Sequence, residues 1–162
     1  MTDMDPWNAA RMGTAACCSG HRIAVETKTA CAAGEGCNAV TVLLHEMAES
    51  LGAAIDAKDP CTRAHSEEVA VVSEMLALTM GVGHDLARVV HVAGLLHDIG
   101  KIGLPDAVLQ KPGALTVAEW EMVRRHPVMG HDILQPVGCL RLSGVPRMVL
   151  HHHERWDGEG YP

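Results

Sequence analysis

From Ala39 onward the apolar residues recur with a helical period, and no alternating strand pattern competes with it. Val42, His45 with Glu46, Glu49 and Ile55 lie among good helix formers and predict a helix ending near Lys58. Asp59-Pro60 reads as a restart, with the aspartate as a cap and the proline tolerated in the first turn. His65, Val69, Val72 and Leu76 then share one face of a helix from about Thr62 to Met80, which predicts a buried stripe with His65 on it. Gly81 and Gly83 end that helix, and Asp85 is the expected cap of a third, on which Leu86, Val90, Ala93 and His97 share a face. Gly100 and Gly103 break the chain, and Lys111-Pro112-Gly113 predicts a turn. Thr116 precedes a short helix with Trp120 and Val123, His126-Pro127 opens another through about Leu134, and Pro146 opens a last one through His153. The expectation is an all-α helical bundle over 39–162. Residues 1–38, rich in Ala, Gly, Thr and Cys, show no sustained period and read as an irregular leader, and no internal repeat is visible.

Composition sharpens this picture. Of the 162 residues 48% are hydrophobic but only 2% aromatic, and Phe is absent, so the core must come from Leu, Val, Ala, Ile and Met. Such residues favour helix packing over a twisted sheet. Lys and Arg number 13 against 20 Asp and Glu, a net charge of −7 with no basic run, which argues against DNA or other general nucleic-acid binding. No apolar stretch approaches the roughly 20 residues that span a bilayer, and Asp3, Asp5 and Arg11 interrupt what a signal peptide would keep apolar. A cytoplasmic protein with no membrane partner is expected, its six cysteines reading as thiols. Cys17, Cys18, Cys31 and Cys37 contain no Cys-x-x-Cys pair, so a zinc ribbon is weakly supported.

The unusual count is histidine, at eleven, with six between His97 and His153. A single histidine on an apolar helix face is more often a hydrogen-bonded core residue than a ligand. His65 and His97 have company, however. His97-Asp98 puts an imidazole and a carboxylate on successive helical residues, diverging so that they can serve two neighbouring ions, or one of them can bridge. His152-His153 repeats the arrangement on the final helix, and His126, held extended by Pro127, adds another nitrogen. Imidazoles with one carboxylate suit a borderline divalent metal such as iron, manganese or zinc better than calcium or magnesium.

His97-Asp98-Ile99-Gly100-Lys101-Ile102-Gly103, Lys111-Pro112-Gly113, His126-Pro127 with Gly130, and the run from His152 to Pro162 together resemble the HD-GYP family. That family is the branch of the HD metal-dependent phosphohydrolases that degrades cyclic di-GMP. Asp59 to Ser66 is similar to the family's entry motif, and the resemblance covers about residues 40–162. It implies a helical bundle with a two-ion centre, most readily iron or manganese with zinc as an option, on His65, His97, Asp98, His126, His152 and His153. It further implies that a hydroxide activated by the ions attacks a phosphorus of the cyclic dinucleotide. Asp98 and Lys101 would be catalytic, with Lys101 a fixed positive charge for a substrate phosphate; its plain alternative is a solvated surface lysine. Gly158, Gly160, Tyr161 and Pro162 match the signature loop, whose glycines permit unusual backbone and which would shape the substrate mouth or meet a signalling partner. His45, His84, His91 and His21 match no ligand position; His131 is expected to face away or to donate a hydrogen bond to a ligand from behind, and His151 to neighbour the ligand pair.

Two departures qualify the likeness. Where some members carry an acidic ligand for a third ion, this chain has Cys61, so two ions are expected. The family also continues past the final proline into a helix with another metal-binding aspartate. The sequence therefore reads as cut off at the signature motif, either as a piece of a longer protein or as a short form whose missing helix is replaced by a partner or solvent, with an uncovered apolar face that could pair in a homodimer. Two other readings stand beside the enzyme: a non-catalytic metal- or nucleotide-binding signalling module, and an HD phosphohydrolase acting on another nucleotide.

Overall fold

Small and unbranched residues decide how these helices meet. The computed structural model describes residues 39–59 and 65–162, and among these it is all-α, with no strand. Three long helices come first: α1 (Ala39–Lys58), α2 (His65–Thr79) and α3 (His84–Leu96). A short 3-10 helix (Ile99–Gly103) follows, then α4 (Asp106–Leu109), α5 (Val117–Val123), α6 (His126–Leu134), α7 (Gly138–Ser143) and α8 (Val145–Leu150). Cys61 lies outside the described residues, as do residues 1–38.

The α1, α2 and α3 helices approach through residues that have almost no side chain. A Cβ added at Gly94 would stand 2.7 Å from the Ala70 Cα, and one at Gly52 would stand 2.8 Å from the Leu95 carbonyl oxygen. This close packing corrects the predicted stripe of α2. Ser66, Ala70 and Ala77 face the interior, His65 and Val69 are half-buried, and Val72 and Leu76 are exposed. The interface takes the small residues of the helix in preference to its large ones because backbones can then come closer and gain more dispersion contacts. Leu86 is likewise exposed while Ala87 is buried, although Val90, Ala93 and His97 stay on or near the inner face of α3.

Capping also departs from expectation. Gly83, not Asp85, is the N-cap of α3. At the start of α2 the Asp56 carboxylate accepts from the Ser66 backbone N–H at 3.1 Å and from its hydroxyl at 2.7 Å, while residues 60–64, where the Asp59 cap is expected, lie outside the described residues. The Thr116 cap behaves as its sequence suggests, in a capping box with Glu119. Lys111 donates to the same Glu119 carboxylate at 2.6 Å, and these contacts hold it at a pKa of about 2.

Two apolar clusters result among the described residues. The larger joins Ala48 and Ile55 of α1, Ala70 of α2, Leu95 and Leu96 of α3, Leu134 of α6, and Val145 and Val149 of α8. The smaller joins Leu104, Val108, Leu109, Leu115 and Val123, with Trp120 and Met129 packed against it. Each fully buried Leu or Val in them contributes about 1.5–3 kcal/mol relative to exposure. The 3-10 helix runs between the clusters and crosses α6 closely, bringing the polar residues 97–101 against the start of α6.

Candidate metal centre

Four segments converge on Asp98. His97 closes α3 and Asp98 caps the 3-10 helix, so the pair straddles a junction rather than lying on one continuous helix. His126 is the first residue of α6, in helical rather than extended backbone, with Pro127 following it in the first turn. The last helix ends at Leu150, which leaves His152 and His153 in the turn after it. The six residues nevertheless come together. One ligand atom each from His65, His97 and Asp98 lie within 4.8 Å of one another, and so do those of Asp98, His126, His152 and His153. Asp98 belongs to both groups.

The imidazoles are oriented by their own backbone. Nδ1 of His97 donates to the Gly94 carbonyl at 2.7 Å, that of His126 to Val123 at 2.8 Å, and that of His152 to Val149 at 2.7 Å. Each acceptor lies three residues earlier, where the preceding turn of chain presents it. With Nδ1 so used, the Nε2 atoms are aimed inward. His97 Nε2 is 3.3 Å from Asp98 Oδ2, and His126 Nε2 is 3.2 Å from Asp98 Oδ1. His126 Nε2 also stands 3.1 Å from His152 Nε2. Inward nitrogen lone pairs this close to each other and to a carboxylate repel unless protons or a cation lie among them. Together with the donor chemistry, five imidazoles and one carboxylate, this fits a borderline divalent ion.

The electrostatics follow from the same contacts. Burial alone would raise the Asp98 carboxyl, but contacts from His126 and His97 and the charges of His97 and Lys101 hold it well below its usual value. Burial would lower His97, yet its bond to Asp98 and the neighbouring negative charge leave it raised. Burial and like-charged neighbours push His152 down to about 3 and His153 down to about 4, and they lower His65 as well. These three rings favour the neutral form that metals bind.

Lys101 is not a solvated surface lysine. It is 3% exposed, and its ammonium lies 2.7 Å from Asp98 Oδ2 and 3.1 Å from Asp59 Oδ2. Asp59, fully buried, is the residue that sequence reasoning missed, because an Asp-Pro pair reads first as a helix start. The signature loop packs beside the centre. The Tyr161 ring stacks on His153 with centroids 4.6 Å apart, and the Arg124 guanidinium lies 4.7 Å from the tyrosine centroid. Gly158 has φ of +76°, as its role in the loop predicts.

The other described histidines lie elsewhere, and His21 falls outside the described residues. His45 faces Glu49 and His91 faces Glu74, while His131 pairs with Asp132. His151 is exposed and His84 likewise. Among the described residues no helix is long and apolar enough to cross a membrane.

Comparison with known proteins agrees with the geometry. The HD domain family matches residues 49–162. A cyclic di-GMP phosphodiesterase of Thermotoga maritima is 40% identical over 119 residues, covering 74% of this chain and 32% of that protein. A cyclic di-GMP phosphodiesterase of Pseudomonas aeruginosa is 42% identical over 123 residues, covering 75% of this chain and 29% of that protein. A 3'3'-cGAMP-specific phosphodiesterase of Vibrio cholerae is 41% identical over 114 residues, 70% of this chain and 24% of that protein. The chain thus spans about a third or less of the length of these relatives. HD domains are metal-dependent, and this one has the side-chain clusters able to bind metal. With the motifs from His97 to Pro162 in place around one shared aspartate, the chain belongs to the HD domain family, in its HD-GYP branch.

Proposed function

We propose that this chain carries the centre of a metal-dependent phosphodiesterase that hydrolyses a cyclic dinucleotide, with cyclic di-GMP the first candidate. The observation that carries the reading is the inward aim of the His97, His126 and His152 Nε2 atoms around Asp98, each ring tied behind by a backbone carbonyl. His65, His97 and Asp98 would hold one ion, and Asp98, His126, His152 and His153 a second. Iron or manganese suits this donor set, and zinc is compatible with it. When bound, such ions supply Lewis-acid charge and a water of lowered pKa at neutral pH.

The protein's own groups do the rest. Asp98 stays ionised at any ordinary pH and offers an oxygen to each group of ligands. Lys101 orients Asp98 through a buried ion pair, and its fixed charge offsets the negative phosphate at the same centre. Tyr161 and Arg124 brace the His153 ring from behind. The Gly158–Pro162 loop, with Trp156 fully exposed beside it, is the surface this reading offers to the substrate mouth or to a signalling partner. The apolar residues exposed on α1 and α2 support pairing with a second copy, which gel filtration reads.

The test is hydrolysis of cyclic di-GMP, and in parallel of 3'3'-cGAMP as some relatives' names suggest, by the chain purified without oxygen and loaded with iron or manganese. Linear dinucleotide should form with the native chain and not with the His97→Ala/Asp98→Ala variant, whose metal content should also collapse. Metal bound without turnover of either substrate would move the chain to the binding-module reading.

A further inference from the structure

Away from Asp98, the corner between α7 and α8 forms a solvent-open pocket of about 490 Å³. Its walls include His131 of α6, Gln135 just after it, Arg141 of α7, Arg147 and Leu150 of α8, and His151 just beyond. Two arginines reach one pocket because the chain reverses at Gly144, whose φ of +88° lies in the left-handed region that favours glycine. The Gly144 N–H donates to Leu140 and Arg141 carbonyls, and the Gly144 carbonyl accepts from Arg147 N–H at 3.1 Å, so the corner is internally fixed.

Among the described arginines Arg124 pairs with Glu121 and Arg155 with Asp157, while Arg88, Arg125, Arg141 and Arg147 have no ion pair; Arg141 and Arg147 are the two of these four that line one pocket. The carboxylate that touches a lining side chain is Asp132, accepting from His131 Nδ1 at 3.1 Å. Two uncompensated guanidiniums sharing a concave site with imidazoles form a recognition surface for a tetrahedral anion, since the planar fork matches phosphate oxygens. The volume lies in the small-molecule range of about 300–1,000 Å³. Gln135 and Leu150 add a polar and an apolar contact for whatever the phosphate is attached to.

We propose that this pocket binds a phosphate dianion, free or carried by a nucleotide, at a site separate from the Asp98 centre. The inference does not depend on the phosphodiesterase reading.

Equilibrium dialysis of the chain in chelator against inorganic phosphate, guanosine monophosphate and guanosine tests it. The expected result is one saturable site for a phosphate-bearing probe and none for guanosine. Affinity should fall about tenfold or more in Arg141→Gln/Arg147→Gln, with each single variant between. Both arginines are exposed, so circular dichroism and melting should be unchanged in these variants. Binding should persist in His97→Ala/Asp98→Ala and in His153→Ala, which spares the buried aspartate. Tighter binding of guanosine monophosphate than of inorganic phosphate identifies a nucleotide ester as the source, and the reverse identifies the free anion. No saturable binding at millimolar probe, equal binding by the arginine variants, or loss in both histidine variants would overturn the proposal.

Discussion

Replacing Gly100 by Ala should separate the two halves of the centre. Gly100 lies between Asp98 and Lys101, and its Cα faces the backbone at the start of α6. A Cβ there would run into the His126 carbonyl oxygen, with Gly130 N at 2.6 Å and the His126 carbonyl carbon at 2.8 Å. These are backbone atoms, so no side-chain rotation relieves the clash. Ordinary contact begins near 3.5 Å, which demands a separation of roughly 1 Å between the 3-10 helix and α6. The 3.2 Å approach of His126 Nε2 to Asp98 Oδ1 would open by a similar amount and cease to be a contact. Overpacking of this kind costs about 3 kcal/mol, near the top of the usual range. For a chain of this length that is roughly 6–12 °C in melting temperature. Metal affinity should fall about tenfold or more, as when a supporting contact of a ligand is lost. Gly138→Ala is the matched control: its Cβ meets nothing within 4 Å. That variant should gain about 0.4–1 kcal/mol from reduced freedom of the unfolded chain. Melting by circular dichroism and metal uptake by equilibrium dialysis read both effects. A Gly100→Ala chain that melts within about 2 °C of the parent and binds metal as tightly would refute the reasoning.

Three further outcomes follow from the same geometry. Lys101→Met removes the ammonium facing two buried carboxylates, so the metal-free chain should lose about 3–5 kcal/mol; a solvated lysine would change stability by less than about 0.5 kcal/mol, and Lys101→Met/Asp59→Asn should recover part of the loss in a denaturant titration. The metal-free chain should weaken as pH falls from about 6.5 toward 4, because the unfolded state there takes up protons that folded His152 and His153 refuse. His65 acts in the same sense and His97 in the opposite one, giving a net slope of about 1–2 kcal/mol per pH unit; a urea midpoint equal at pH 5 and pH 7 contradicts it. The Asp98 contribution is lost only lower still, as pH drops through its depressed folded value. Tyr161→Ala should weaken metal binding about tenfold by unbracing His153, with Tyr161→Phe restoring it because the ring makes the stack; native affinity in the alanine variant would remove Tyr161 from this role.

Helix existence was legible in the sequence because period and caps are local. The Thr116 capping box, the Lys111–Gly113 turn and the span of α6 stand where the pattern puts them. What the pattern could not weigh is how closely two helices approach. Gly94 against Ala70 lets α2 and α3 pack through small residues, which turns Val72 and Leu76 outward although hydrophobicity alone would bury them. The short α4 and α7 carried too few periodic positions to predict. At the centre, the motif residues gather as their spacing and family likeness imply, but the backbone acceptors on Gly94, Val123 and Val149 have no side-chain signature. The Asp59–Lys101 pair spans 42 positions, and nothing local in either segment announces it.

The division into two apolar clusters bears on how unfolding of this protein is observed. Trp120 packs on the smaller cluster, while Trp156 is fully exposed and Trp7 lies outside the described residues. Of the two described tryptophans, Trp120 is the one whose surroundings melting changes, because Trp156 is already exposed. Ellipticity at helical wavelengths is dominated instead by α1, α2 and α3, which pack on the larger cluster. The two optical signals thus watch opposite sides of the seam on which Asp98 sits. Coincident curves would mean that the halves melt as one cooperative unit; fluorescence moving ahead of ellipticity would mean that the seam opens first, from the Trp120 side.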